Sequence, residues 1–157
     1  MTMMMKKMLL LFLFIFVMNT TFSQTKAVSY DENLAKSLQA DQYGMKNYIF
    51  CLLKTGSNTK LSKEELDKVF QGHMKNISRL AEEGKLVMGG PFGENDRNYR
   101  GIFVFNVTTL AEAEQLVKTD PAVQADVLAY ELTPLYSSAA LQEINKIHSR
   151  ITKTKFE

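Results

Sequence analysis

Cysteine is nearly absent from this 157-residue chain. Cys51 is the only one, so no intramolecular disulfide can form. Without a CxxC pair, thiol–disulfide chemistry has no support. Cys51 lies inside an apolar run and reads as a small buried hydrophobe. Histidine is almost as scarce. His73, His148 and Cys51 show no metal-ligand spacing, so neither a metal nor a cofactor is expected. Proline occurs three times, and each one marks the end of an expected element. Internal repeats and low-complexity tracts are missing. Long apolar runs are missing too: Met8–Met18 is too short to span a bilayer.

That short run has a role of its own. Lys6-Lys7 precedes it as a basic region, and Thr21-Phe22-Ser23 puts small residues at −3 and −1 of a cut. Residues 1–23 therefore read as a secretory signal peptide, with export to a periplasmic or secreted location. No cysteine follows the run, so a lipoprotein anchor is not indicated. An uncleaved membrane anchor is the alternative. Residues 1–23 hold two lysines and no acid, which leaves 17 basic against 17 acidic residues. A neutral chain without a basic patch argues against nucleic acid as a partner. No membrane contact is expected after cleavage. A hydrophobic content of 45% with 23% charged residues fits one globular domain.

Residues 24–46 form a leader expected to be loosely attached, with about two helical turns over Asp31–Leu38. The domain spans 47–136. Its first strand is Asn47–Lys54, with Tyr48, Phe50 and Leu52 on one side and Ile49, Cys51 and Leu53 on the other. A helix starts at Ser62, with Glu65 completing a capping box, and runs to Glu83 before Gly84. The second strand is Lys85–Met88, followed by a loop over Gly89–Tyr99. The third strand, Arg100–Val107, is again apolar on both sides. A second helix begins at Thr109, with Glu112 completing its capping box, and Asp120-Pro121 ends it. The fourth strand is Val127–Thr133, bounded by Pro134. An amphipathic helix over Ser138–Thr152 and a polar tail complete residues 137–157.

The order β-α-β-β-α-β is the ferredoxin-like arrangement, an α+β sandwich with both helices on one face of an antiparallel sheet. Its central strands are the first and third, the two that are apolar on both sides. The face without helices needs a cover. A second copy packing sheet to sheet supplies one, giving a homodimer. The C-terminal helix folding over that face is the alternative.

On the first helix, Val69, Phe70, Ile77, Leu80 and Ala81 lie within about 60° of one meridian at 100° per residue. His73 falls in the middle of that stripe. It is either a hydrogen-bonded core residue or a general acid/base facing a pocket. Asp120 is its topological partner, because both helices share one sheet face. A carboxylate at the end of the second helix is opposed by the helix dipole and needs compensation. Asp120 can also N-cap a turn starting at Pro121. The two uses are compatible, since a carboxylate has two oxygens. Arg100 is a candidate for holding a substrate carboxylate, with surface solvation as the alternative. His148 suits packing or a dimer contact. Asn76-Ile-Ser78 and Asn106-Val-Thr108 match a glycosylation acceptor, but both fall inside expected elements and read as chance.

The strand YIFCLLK, the run GHMKNISRLAEEGKLV followed by GGPF, RGIFVF, the helix LAEAEQLV closed by TDPAV, and ELTPLY together resemble the YciI-like (YCII-related) proteins. These belong to the dimeric α+β barrel superfamily. The resemblance covers roughly residues 45–136, and the C-terminal SSAALQEINKIH is similar to a tail found in one subgroup. It implies a ferredoxin-like subunit, a homodimer, and a site on a His–Asp pair that falls on His73 and Asp120. It implies no particular substrate. An exported member departs from the soluble intracellular form usual in the family. Two functions follow as expectations. One is a small cofactor-independent enzyme of lyase or isomerase type, acting on a small-molecule acid through His73 and Asp120 with Arg100 on the carboxylate. The other is a non-catalytic exported ligand-binding or interaction module on the same scaffold.

Overall fold

The computed structural model describes residues 29–154. The expected signal peptide and the start of the leader lie outside these residues. Among the described residues no helix is long and apolar enough to cross a membrane. The strands are β1 (Met45–Thr55), β2 (Leu86–Pro91), β3 (Tyr99–Phe105) and β4 (Leu128–Ser138). The helices are α1 (Glu32–Ser37), α2 (Lys63–Glu82), α3 (Leu110–Val117), the four-residue α4 (Pro121–Gln124) and α5 (Ile144–Ile151). A 3₁₀ segment, Ala139–Glu143, joins β4 to α5.

The sheet has the order β2-β3-β1-β4, with every neighbouring pair antiparallel. This is the ferredoxin-like subunit, and the two strands that are apolar on both sides occupy its centre. The register pairs Cys51 with Phe103 and Phe50 with Val104 across β1 and β3. Side chains alternate between faces. Ile49, Cys51, Leu53, Phe103 and Phe105 therefore share the first face, where Leu80, Ala113, Val117 and Ala122 from the helices close over them. Tyr48 and Val104 point to the second face and are buried with Val87.

Local signals place the helices. Ser62 caps α2 in a reciprocal box with Glu65, and Gly84 follows it at φ 68°, a conformation that costs a glycine little. Thr109 caps α3 by accepting from the Glu112 amide.

Besides small shifts at the ends of β1 and β3, five features differ from the sequence reading, each for a physical reason. First, β4 does not stop at Pro134 but runs on to Ser138. It is an edge strand, where a missing N–H need not break a ladder. Second, β2 extends through Gly89-Gly90-Pro91, since it too is an edge. A Cβ on Gly101 would come within 2.7 Å of the Gly90 oxygen, so bare backbone is what lets the strands close there. Third, the second helix stops at Val117, short of Asp120, which N-caps the separate turn at Pro121 that the sequence allowed. Fourth, the C-terminal helix begins as a 3₁₀ segment, and Leu141 within it packs on Tyr48, Val87 and Val104. That segment covers one corner of the second face. Fifth, the leader is tied down rather than loose. Gln142 Nε2 donates to the Leu38 carbonyl at 2.7 Å, Lys46 Nζ to Gln39 Oε1 at 2.7 Å, and the Tyr136 hydroxyl to Asp41.

Candidate active site

The site grows from a close approach of α2 to the joint between α3 and α4. Glycine in mid-helix costs about 1 kcal/mol relative to alanine. At Gly72 the gain is contact: a Cβ there would meet Pro121 Cγ at 2.9 Å. The next residue, His73, then reaches the joint. Its Nδ1 lies 2.7 Å from Oδ2 of Asp120. The other carboxylate oxygen, Oδ1, accepts from the Ala122 amide at 2.9 Å and so caps α4. Asp120 thus serves both uses, one oxygen for each.

Asp120 is fully buried and the His73 side chain is 12% exposed. A buried carboxylate is costly unless hydrogen-bonded, and here both oxygens are satisfied. The imidazole stacks on Phe103 at 5.9 Å and meets Phe70 edge-on at 5.9 Å. These rings hold it in place. Among the described residues Nε2 accepts or donates no hydrogen bond, and it is not one of the sealed polar atoms without a partner. It therefore opens toward solvent. An aspartate on Nδ1 selects the Nδ1–H tautomer and leaves the Nε2 lone pair free to take a proton.

Cys51 lies beneath this pair on β1, opposite Phe103. Burial, reinforced by the Asp120 carboxylate, pushes its thiol up to about 12. It is a neutral hydrophobe, as its place in an apolar strand implies.

Arg100 does not join the pair. It lies at a bulge where the β3 register slips against β1, between Tyr99 opposite Lys54 and Gly101 opposite Leu53. It is exposed and borders a hollow of about 320 Å³ with Phe92, Asn95 and Tyr99. His148 is exposed on α5. Among the described residues no group of three or more His, Cys, Asp or Glu is placed to hold a metal.

The sequence reading missed a polar cluster beside the pair, formed by Asn76, Arg79 and Thr119. Asn76 is 7% exposed. Its signal was weak, because it lies about 20° outside the apolar arc on the helical wheel.

The model of the YCII-related domain matches residues 48–135. No curated protein matches the sequence. Among solved structures, the chain is similar to the 5-chloro-2-hydroxyhydroquinone dehydrochlorinase TftG from Burkholderia phenoliruptrix AC1100, solved with 2,5-dihydroxybenzoquinone. The identity is 19%, over 55% of this chain and 90% of that one, with a TM-score of 0.38. At that score the likeness says nothing about activity here. The domain match spans more than half the chain, from Tyr48 in β1 to Leu135 in β4, and takes in both His73 and Asp120: the chain belongs to the YCII-related family.

Proposed function

We propose that this protein is a small cofactor-independent enzyme of lyase or isomerase type in which His73 moves a proton and Asp120 fixes the ring. The observation that carries this reading is the 2.7 Å bond from Nδ1 to a fully buried carboxylate, with Nε2 left open. In the working cycle Nε2 takes a proton from the substrate. The imidazolium that forms is stabilised by Asp120, its Nε2 proton exchanges with solvent, and a proton is returned at another atom. The aromatic walls of Phe70 and Phe103 suit an unsaturated or aromatic-derived acid. The working form is a homodimer through the second sheet face, exported after loss of residues 1–23.

The second reading, a ligand-binding or interaction module without catalysis, is favoured by one feature. Neither the hollow beside Arg100 nor the one along Asp67–Met74 is lined by His73 or Asp120.

Solvent-deuterium incorporation separates the two without knowledge of the product. A panel of unsaturated and aromatic hydroxy acids is incubated in D₂O and followed by NMR. At least one acid should exchange a C–H for C–D with the wild type. The rate should fall about 10²-fold or more in His73→Ala and in Asp120→Asn. Equal exchange in wild type and both variants, or none with any acid, rejects the enzyme.

A further inference from the structure

Asn76 stands one helical turn after His73 on α2, and Thr119 immediately precedes Asp120. A second tie therefore runs beside the His73–Asp120 bond. Arg79 Nη2 donates to Asn76 Oδ1 at 2.7 Å and to Thr119 Oγ1 at 3.0 Å. Its two protons serve one oxygen each. The Thr119 hydroxyl has a single proton; its oxygen lies 2.7 Å from the Leu116 carbonyl oxygen and 3.0 Å from Asn76 Oδ1, so it donates to the nearer, Leu116, and accepts from Arg79. The guanidinium is oriented in turn by Glu83, whose oxygens lie 2.9 and 3.1 Å from Nη1.

The amide of Asn76 can face only one way. Reversed, its NH₂ would oppose the Arg79 donor. In the orientation that satisfies Arg79, Nδ2 is buried without a partner. An unmet buried donor opposes folding, and an apolar side chain would avoid it. What the carboxamide contributes is its oxygen.

We propose that Asn76, bridged to Thr119 by Arg79, is a positioning residue that holds Asp120 on Nδ1 of His73. The joint between α3 and α4 has no regular structure of its own to fix it against α2. Gly72 against Pro121 sets the distance, and the Asn76–Arg79–Thr119 bridge sets the rotation that aims Oδ2 at the ring. This role rests on the pair being the working site, but its test reads the imidazole rather than turnover.

The whole protein, labelled with ¹⁵N-histidine, is examined by NMR with the ring neutral. The wild type should show His73 as the Nδ1–H tautomer, its proton exchanging slowly with water. Asn76→Ala should speed that exchange at least about tenfold and mix the tautomers. Asn76→Asp keeps the acceptor oxygen and should restore the wild-type signals. Arg79→Ala changes a half-exposed side chain, so it reads the same effect should Asn76→Ala fail to fold. If these variants lower only the melting temperature while tautomer and proton exchange stay as in wild type, the bridge is structural and the proposal is wrong. Catalysis failing while the imidazole responds would reject the enzyme reading and leave the bridge standing.

Discussion

On the first face of the sheet, Ile49, Cys51, Phe103 and Phe105 are sealed beneath α2, α3 and α4. On the second, Phe50, Leu52 and Ile102 come from the same two strands yet remain half-buried. Alternation along a strand gives both faces equal apolar content, so the difference lies in what covers them. Two amphipathic helices, each with its cap, cover the first. The 3₁₀ turn carrying Leu141, with the start of α5 tied to β2 by Asn145 Nδ2 donating to the Leu86 carbonyl, covers one corner of the second, where Tyr48, Val87 and Val104 are buried. Among the described residues the buried polar side chains are Asn76 and Asp120, and Asp120 comes with partners for both oxygens. A closed face is where a buried carboxylate can be held in one orientation. A half-closed apolar face is where a second chain can add surface.

The sharpest way to break this comparison is to hollow out each face. Phe105→Ala removes a fully buried ring from the first face and should cost about 3–5 kcal/mol of unfolding free energy. Leu141→Ala, at the partly buried corner of the second, should cost about 1–2 kcal/mol, since less of it leaves water. Urea unfolding measures both. A Leu141→Ala loss equal to that of Phe105→Ala would mean that the C-terminal segment, not the helices, holds the fold together.

Next comes the half-exposed remainder of the second face. Light scattering at micromolar concentration should give the mass of a dimer. Ile102→Glu puts a carboxylate among Phe50, Leu52 and their copies, and should convert the dimer to a folded monomer. A wild type that is already monomeric at that concentration would mean that Phe50, Leu52 and Ile102 need no partner, and the proposed homodimer would fall.

Much of this arrangement is legible in the sequence because its determinants are local. Strand alternation at 48–53 and 102–105 places the two faces, and Ser62–Glu65 and Thr109–Glu112 start the helices. The residue before Pro121 locates the joint. The His73–Asp120 pair is suggested by topology, because both helices lie on one face, and is singled out by the family resemblance. What was not legible depends on position in the sheet or on long-range packing. Pro134 reads as a stop until β4 is known to be an edge strand. Arg100 reads as a ligand for the same site, yet a bulge in β3 sets it beside a separate hollow with Phe92 and Tyr99. The Asn76–Arg79–Thr119 bridge spans 43 residues between its ends and has no spacing to announce it.

The smallest effect is a rate at one atom, and it tests whether the first face is closed down to its floor. Cys51 lies there, fully buried and next to Asp120. An unfolded thiol titrates near about 8.5. Burial first, and the Asp120 carboxylate second, raise the folded value to about 12. A raised value favours the protonated thiol in the fold. Its contribution to stability is therefore fully present below about pH 8.5 and is lost as pH rises through about 12. Stability should fall over that alkaline window, and Cys51→Ala should remove part of the slope. At pH 8 a maleimide should modify the native protein only as fast as it opens, and the urea-unfolded chain at once. Asp120→Asn removes the second cause and keeps the first. The ultraviolet absorbance of the thiolate should then appear at lower pH than in the wild type, yet still above that of a free thiol. Rapid labelling of the native protein at pH 8, with no dependence on its opening, would show that water already reaches the floor and that the two faces are not closed differently at all.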